Sequence, residues 1–207
     1  MKISNCYMRY KTGSFILDVK ELNLEEGKIN CILGDNGSGK STLLKNIMNN
    51  NCEHEIRSKM MLLQKPYIYT GSVLDNINIV RKLAPVSKIN VEKLLTDLQL
   101  DGLLTQRARS LSGGQRQRLA FALVMISDAE LTILDEPFNN IDVRSQRLMV
   151  DVMMEYKRTY LLVSHKLNLS RKIGEFFVLM ENGKIIDEGD HSIFDRNETL
   201  KLIMEME

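Results

Sequence analysis

The chain has 207 residues, enough for one large domain, and an apolar fraction of 43% that is ordinary for a soluble globular protein. Its 28 Lys and Arg residues nearly balance 27 Asp and Glu residues, which excludes a strong positive field that would draw the protein onto nucleic acid or anionic lipid. No run approaches the ~18 consecutive apolar residues that a membrane span requires.

The first distinctive segment along the chain is a glycine loop that follows the apolar run INCIL. Residues 34–42, GDNGSGKST, satisfy the phosphate-loop pattern G-x-x-x-x-G-K-[ST] between a predicted strand and a predicted helix, a context that favours this interpretation over a plain glycine-rich turn. Glycines let the backbone approach phosphate oxygens, and the helix N-terminus adds the positive end of its dipole. We predict that Lys40 contacts the β- and γ-phosphates of a nucleoside triphosphate, that Ser41 ligates Mg²⁺, and that Thr42 bonds further back along the phosphates. The predicted phosphate-binding residues are Gly34, Asp35, Asn36, Gly37, Ser38, Gly39, Lys40, Ser41 and Thr42.

Short apolar runs followed by turn residues and helical patterns recur along the chain. This alternation is typical of an α/β fold with a mostly parallel sheet that is covered on both faces. Ligands of such sheets bind beyond the carboxyl ends of the strands. Lys40 follows the first run, Asp135 and Glu136 follow the third, and His165 follows the fourth. The runs are INCIL (29–33), MMLL (60–63), LTIL (131–134), YLLV (160–163) and FFVLM (176–180).

Between residues 64 and 111 the pattern changes to helices. Ser72 and Asp75 form a capping-box pattern, and apolar residues at 91, 94, 95 and 98 have helical spacing. We predict a helical subdomain at 65–110, inserted into an α/β nucleotide-binding core formed by 1–64 and 111–207. Near the C-terminus, Asn182-Gly183 between two strand patterns predicts a closing hairpin.

Residues 110–137, SLSGGQRQRLAFALVMISDAELTILDEP, resemble the ATP-binding cassette (ABC) ATPase family. LSGGQ at 111–115 matches the family's signature motif, and the apolar run ending in Asp135 and Glu136 matches its Walker B motif. The resemblance continues at Gln64 (Q-loop), at NNID, 139–142 (D-loop), and at His165 (switch histidine), so it covers essentially the whole chain. It implies a P-loop NTPase core with an inserted helical subdomain and an antiparallel β subdomain, and it implies hydrolysis of ATP with Mg²⁺.

The two carboxylates after the third apolar run also have a mechanical interpretation of their own. Asp135 at the end of a buried strand can hold the Mg²⁺ shell, and Glu136 can accept a proton from the attacking water, although a solvated strand end is the alternative. By itself His165 fits a structural role; the resemblance implies that it contacts the γ-phosphate and that Gln64 senses Mg²⁺ and water. The predicted catalytic residues are Glu136, His165, Gln64 and Lys40, and the predicted metal-binding residues are Ser41, Gln64 and Asp135.

The signature segment predicts a second site for a negative charge. Its serine and glycines precede an apolar helix, so they form another helix N-terminus. The resemblance implies that two cassettes, identical or related, pair head to tail, and that the signature of one closes over the ATP of the other. It also places Asp142 near the seam between them. The residues predicted to bind the partner's nucleotide are Ser112, Gly113, Gly114, Gln115 and Asp142.

The spacing between the phosphate loop and the Q-loop departs from the family. Only 24 positions separate Lys40 from Gln64, which predicts a reduced antiparallel β subdomain. In the family that subdomain helps to form the adenine pocket, so part of the pocket is expected to be missing. Tyr10 is the candidate for stacking on adenine. Tyr7 or Phe15 can serve instead, and a plain core or surface role for Tyr10 stays open.

The remaining expectations concern location and partners. The lack of a membrane span and of an apolar signal segment predicts a cytoplasmic protein, peripheral on the inner face of the cell membrane and docked on transmembrane permease subunits, with no nucleic acid partner. Residues 64–77 resemble exporter cassettes, in which Tyr67 and Tyr69 would face the membrane partner; these tyrosines can also pack the helical subdomain. We therefore favour export, and the alternative is a soluble ABC ATPase that acts as an ATP-driven dimerisation clamp.

The three cysteines, Cys6, Cys31 and Cys52, show no paired framework and are expected to be unpaired in a reducing compartment.

Overall fold

A six-stranded sheet forms the centre of the computed structural model, which describes residues 1–9, 15–83, 89–198 and 200–201. Its strands are β3 (Ile29–Leu33), β5 (Lys59–Leu62), β6 (Leu131–Asp135), β7 (Thr159–Val163), β8 (Phe176–Glu181) and β9 (Lys184–Gly189). They are ordered β5-β6-β7-β3-β8-β9, and every neighbouring pair is parallel except β8 and β9. Every residue of β3, β6 and β7 is buried, which is why these strands read as continuous apolar runs. The predicted mostly parallel sheet is confirmed.

A second, antiparallel sheet of three strands packs on the side of the large sheet that α1 (Lys40–Met48) covers. Its strands are β1 (Lys2–Arg9), β2 (Ile16–Asn23) and β4 (Glu53–His54), in the order β2-β1-β4. β1 and β2 pair along their length, whereas β4 is two residues long and pairs only with Ile3 and Ser4. The brevity of β4 agrees with the predicted reduction of the antiparallel β subdomain.

The prediction that all three cysteines are unpaired was wrong. Cys6 on β1 and Cys52 just before β4 form a disulfide, with Cα atoms 4.5 Å apart. The two residues are 46 positions apart in sequence, and the pairing of β4 with β1 brings them together. Cys31 on β3 is a free, buried thiol.

Helices cover both faces of the large sheet, as the alternating pattern predicts. One face packs against α1 and the antiparallel sheet, through residues such as Ile32 and Val163. The opposite face, which includes Leu33 and Leu162, packs against the other helices. The helices are α1 (Lys40–Met48), α2 (Val73–Leu83), α3 (Val91–Asp97), α4 (Gly113–Ile126), α5 (Val143–Glu155), α6 (Leu167–Ile173) and α7 (Ile193–Arg196).

The segment between β5 and α4 is helical, as its sequence pattern predicts. The capping box is confirmed: Ser72 Oγ accepts from the Asp75 N–H (3.1 Å), and the Ser72 N–H donates to Asp75 Oδ2 (2.8 Å), so α2 begins at the next residue. Short 3₁₀ turns at Asp101–Leu103 and Ala108–Ser110 complete the segment. The bounds 65–110 for a helical subdomain remain a prediction. Within the described ranges, no helix is both long and apolar enough to cross a membrane.

Candidate nucleotide-binding site

Three neighbouring strands bring the predicted site residues together at one edge of the large sheet. β6, β7 and β3 are adjacent and parallel, so the segments that follow their carboxyl ends converge. They enclose a cavity of about 480 Å³, within the usual range for small-molecule sites. Its lining residues are Phe15, Asn36, Gly37, Gly39, Lys40, Ser41, Thr42, Glu136, Val163 and His165.

The backbone of the glycine loop requires glycine at two positions, Gly34 and Gly39. Gly34 and Gly39 have φ angles of 138° and 106°, in the region that favours glycine. A Cβ on Gly34 would lie 2.1 Å from the carbonyl oxygen of Met180, and one on Gly39 would lie 2.8 Å from Cζ of Phe15. Gly39 is the N-cap of α1, and no side chain caps that helix end. The first N–H groups of α1 can therefore bind an anion in the cavity.

Lys40, the first residue of α1, lies across the glycine loop. Its ammonium donates to the carbonyl oxygens of Gly34 (2.6 Å) and Asp35 (2.8 Å), and the residue is only 6% exposed. Burial lowers the pKa of Lys40, while the nearby carboxylates, of which Glu136 acts most strongly, oppose that shift. A cation held among carbonyl oxygens beside an uncapped helix end is suited to contact a phosphate.

Ser41 and Asp135 join the loop to the end of β6. Ser41 Oγ donates to Asp135 Oδ1 over 3.0 Å, and Asp135 is 4% exposed. Burial raises the pKa of Asp135, and the Ser41 hydroxyl acts in the opposite direction. A hydroxyl beside a carboxylate is an oxygen donor set that fits Mg²⁺, which proteins hold through one or two carboxylates together with substrate phosphates. The part of the chain that the structure describes contains no cluster of three or more His, Cys, Asp or Glu residues suited to a metal.

Glu136 is buried beside His165 in an unusual backbone conformation. Its φ angle is 52°, and its N–H donates to the Val163 carbonyl oxygen over 2.9 Å, which fixes β6 against β7. The His165 N–H donates to Glu136 Oε2 (3.1 Å), and His165 Nε2 lies 3.1 Å from Glu136 Oε1. Burial raises the pKa of Glu136, and the His165 N–H opposes this shift. A carboxylate whose pKa is raised is a stronger base than a solvated one, as proton abstraction from water requires.

The structure separates the other predicted residues from this cavity. Gln64 is exposed and lines a second cavity, of about 490 Å³, together with Tyr69 and Gly113. Ser112 caps α4 in a capping box with Gln115, and both line a cleft that also contains Asp142. None of these residues is among the described residues that line the cavity around Lys40.

The aromatic candidates for adenine stacking differ in their position relative to the cavity. Tyr10 lies outside the described residues. Tyr7 is 58% exposed on β1, whereas Phe15 lines the cavity beside Gly39. Of the two alternatives, Phe15 has the position closer to the glycine loop.

One contact to the glycine loop was not predicted. The N–H of Gly183, in the β8–β9 turn, donates to the carbonyl oxygen of Ser38 over 2.8 Å. The Asn-Gly pair indicates a hairpin turn, but no sequence pattern indicates that the turn packs against a loop at the other end of the chain.

Comparison with known proteins identifies the family. A family model described as "ABC transporter" matches residues 17–139, more than half of the chain. The chain belongs to the ABC transporter family. Membership in this family implies that the chain binds and hydrolyses ATP, and it confirms the resemblance drawn from the signature and Walker B motifs.

Relatives of this ABC protein include proteins of different lengths. It is 28% identical to the lactococcin-A transport/processing ATP-binding protein of Lactococcus lactis subsp. lactis, over 92% of this chain but only 30% of that relative. The chain thus spans about a third of the length of the first curated relatives that it matches. It is 30% identical to the tungstate uptake system ATP-binding protein of Peptoclostridium acidaminophilum, over 88% of this chain and 95% of that relative.

Solved structures show the same fold. The ATP-binding subunit of an ABC transporter matches with a TM-score of 0.85 at 20% identity, covering 99% of this chain and 98% of that chain. A bacterial Atm1-family ABC exporter with ATP bound matches with a TM-score of 0.83 at 17% identity, covering 99% of this chain and 41% of that one. At these identities the structures support the fold alone.

Proposed function

We propose that this chain is an ATP-hydrolysing subunit that powers transport across a membrane through separate transmembrane subunits. The observation that carries the proposal is the convergence of Lys40, the Ser41–Asp135 pair and Glu136 at the edge formed by β3, β6 and β7. Phosphate binding, metal binding and proton abstraction are thereby available within one cavity.

The proposed roles follow from the contacts of each side chain. The loop N–H groups and Lys40 bind the β- and γ-phosphates of ATP, for which Lys40 exchanges its bonds to Gly34 and Asp35 for bonds to phosphate oxygens. Ser41 and Asp135 would hold Mg²⁺, which when bound neutralises charge on the phosphates. Thr42, which lines the same cavity, bonds further back along the phosphates.

Glu136 is the proposed general base. It accepts a proton from the water that attacks the γ-phosphorus, the bond from that phosphorus to the bridging oxygen breaks, and ADP and phosphate form. His165 keeps the carboxylate in place through its N–H, and its exposed ring is available to the γ-phosphate. Glu136 is 3% exposed and lines the cavity, so the base is reached from the cavity and is largely shielded from bulk water.

A complete site requires a second cassette in this proposal. Ser112, Gly113, Gly114 and Gln115 lie at the start of α4, and the cavity around Lys40 is lined by other described residues. We assign these four residues to the nucleotide of a partner cassette, identical or related, with Asp142 near the seam. Gln64, exposed two residues after β5, is assigned to Mg²⁺ and the attacking water once the two cassettes close.

Transmembrane permease subunits are the proposed partners, and the inner face of the cell membrane is the proposed location. We favour export on the basis of the Q-loop continuation, residues 64–77. Relatives named for lactococcin-A transport/processing and for tungstate uptake show that related cassettes serve different cargoes.

Replacement of the base tests the proposed chemistry. In Glu136→Gln we expect hydrolysis to fall by about 10² to 10⁴, because general-base catalysis contributes on that order, while ATP binding is retained. The same variant should accumulate an ATP-bound dimer in size-exclusion chromatography, since the nucleotide that holds the two cassettes together is no longer cleaved. Lys40→Ala is the control that should lose nucleotide binding. Unchanged turnover in Glu136→Gln would reject Glu136 as the base.

A further inference from the structure

The turn between β8 and β9 is hydrogen-bonded both to the glycine loop and to the antiparallel sheet. The Gly183 N–H donates to the Ser38 carbonyl oxygen (2.8 Å), and the Gly183 carbonyl oxygen accepts from the Asp18 N–H on β2 (2.9 Å). A single residue near the C-terminus therefore connects the loop to β2. Neither bond belongs to the pairing within a sheet.

The contact between turn and loop is close because the facing residues have no side chains. Gly183 has a φ angle of 78°, and a Cβ on it would lie 2.0 Å from the carbonyl oxygen of Ile16. A Cβ on Gly39 would lie 3.5 Å from Cα of Gly183, and one on Gly34 would lie 2.1 Å from the carbonyl oxygen of Met180. The hairpin thus contacts the loop at its beginning and at its end, where α1 starts.

The bond from Gly183 has a direct consequence for the loop N–H groups. The Ser38 carbonyl and the Gly39 N–H belong to one planar trans peptide, in which they point in opposite directions. Since the Ser38 oxygen points to Gly183, the Gly39 N–H points away from the hairpin. A loop that binds phosphate through its N–H groups depends on this orientation, because a peptide that flips presents a carbonyl oxygen to the anion instead.

We propose that Gly183 is a positioning residue for the phosphate loop, acting through its hydrogen bond to Ser38. The inference rests on the proposed nucleotide-binding function and adds to it a residue outside the cavity. It predicts that nucleotide affinity depends on the β8–β9 turn although the turn does not line the site.

The test compares two alanine substitutions at glycines with similar φ angles. Gly183→Ala introduces the clash with Ile16 and displaces the turn, and we expect roughly tenfold weaker binding of ADP with Mg²⁺, the effect of one lost or misdirected hydrogen bond to phosphate. Gly27→Ala is the matched control: its φ angle is 70°, and its Cβ would meet no atom within 4 Å. We expect its ADP affinity to stay within about twofold of the wild type by titration calorimetry. Equal losses in both variants, or no loss in Gly183→Ala, would overturn the proposal.

A second measurement uses the unaltered chain and does not depend on how the variants fold. Addition of ADP with Mg²⁺ should slow amide hydrogen exchange in peptides covering 181–185 as well as in the loop at 34–42, because the two are hydrogen-bonded. Protection of the loop without protection of the turn would contradict the inference. A wild-type chain that binds no ADP would instead contradict the proposed function.

Discussion

At the scale of single residues, Glu136 is buried and yet must carry a negative charge, because a general base acts as the ionised carboxylate. Burial raises the pKa of its carboxyl above the ordinary value, so the folded state binds the proton more tightly than the unfolded state does. When the pH is below the pKa that Glu136 has in the unfolded chain, its carboxyl is protonated in both states and does not lower the free energy of unfolding. As the pH rises through the folded pKa, the buried carboxylate lowers the free energy of unfolding, and this loss persists at higher pH.

Glu136→Gln should therefore be more stable than the wild type at pH 8, because the amide removes a buried charge. The difference should shrink as the pH falls through the raised pKa of Glu136, where the wild-type carboxyl becomes neutral as well. Urea unfolding without nucleotide at several pH values measures both trends. Glu55→Gln, at an exposed position, is the control and should show a small difference. A stability difference that grows as the pH is lowered would contradict the sign of this shift.

At the scale of elements, the first turn of α4 packs directly on the N-terminus of α5. Asp142 caps α5, where its Oδ1 accepts from the Ser145 N–H and its Oδ2 from Ser145 Oγ, both over 2.8 Å. A Cβ on Gly114 would lie 2.7 Å from Asp142 Oδ2 and 2.7 Å from Ser145 Oγ, whereas the nearest neighbour of a Cβ on Gly113 is the Asn140 carbonyl oxygen at 4.0 Å. Of these two glycines, only Gly114 lies so close to its neighbours that an added Cβ would displace atoms within the chain.

The two signature glycines should consequently respond differently to alanine. Gly114→Ala displaces the cap of α5, which is worth about 1 kcal/mol, whereas Gly113→Ala has room for its methyl group and the same gain in helix propensity. We therefore expect the free energy of unfolding of Gly114→Ala to be about 1 kcal/mol below that of Gly113→Ala. Urea unfolding without nucleotide measures the contrast. Equal stability of the two variants would contradict the packing of Gly114 against the cap.

The elements that could be predicted are those whose sequence pattern is fixed by burial or by a local hydrogen bond. The strands β3, β6 and β7 are buried on both faces, so their sequences are continuous apolar runs. The capping box of Ser72 and Asp75 predicts the start of α2. The disulfide between Cys6 and Cys52 could not be predicted, because it depends on a strand of two residues that has no periodic pattern. The contact from Gly183 to the phosphate loop likewise depends on tertiary packing between distant segments.

At the scale of the whole molecule, strand order explains how much of the site could be inferred. Residues that follow buried parallel strands meet at one edge, so Lys40, Asp135 and His165 could be grouped from sequence alone. Gln64 also follows a strand of this sheet, β5, but it lines a different cavity within the single chain. Its proposed role, like that of Ser112, depends on a partner cassette whose position the motifs of one chain do not specify.

The surface beyond Gln64 bears the most exposed aromatic side chain in the described part of the chain. Tyr67 is 85% exposed and Tyr69 is 49% exposed, so the alternative in which both pack the helical subdomain fails for Tyr67. The loop that carries them is hydrogen-bonded to α2: Asn76, buried on that helix, accepts from the Tyr69 N–H (2.8 Å) and donates to the Tyr69 carbonyl oxygen (3.1 Å). An exposed tyrosine on a loop tied to a helix is suited to anchor a protein partner, which in the proposed function is a membrane subunit.

Capture of that partner tests the transport proposal as a whole. The tagged chain, incubated with detergent-solubilised membranes of the source organism, should retain a polytopic membrane protein that mass spectrometry identifies. Tyr67→Ala should weaken the capture by roughly tenfold or more, because loss of a central aromatic anchor commonly has an effect of that size.

The control is Tyr7→Ala, at a tyrosine 58% exposed on β1, which should capture the same protein as the wild type. Both variants should hydrolyse ATP normally on their own, since neither tyrosine lines the cavity around Lys40. Retention of soluble partners alone would reject the transport subunit and favour the dimerisation clamp, because a clamp needs no membrane protein to work.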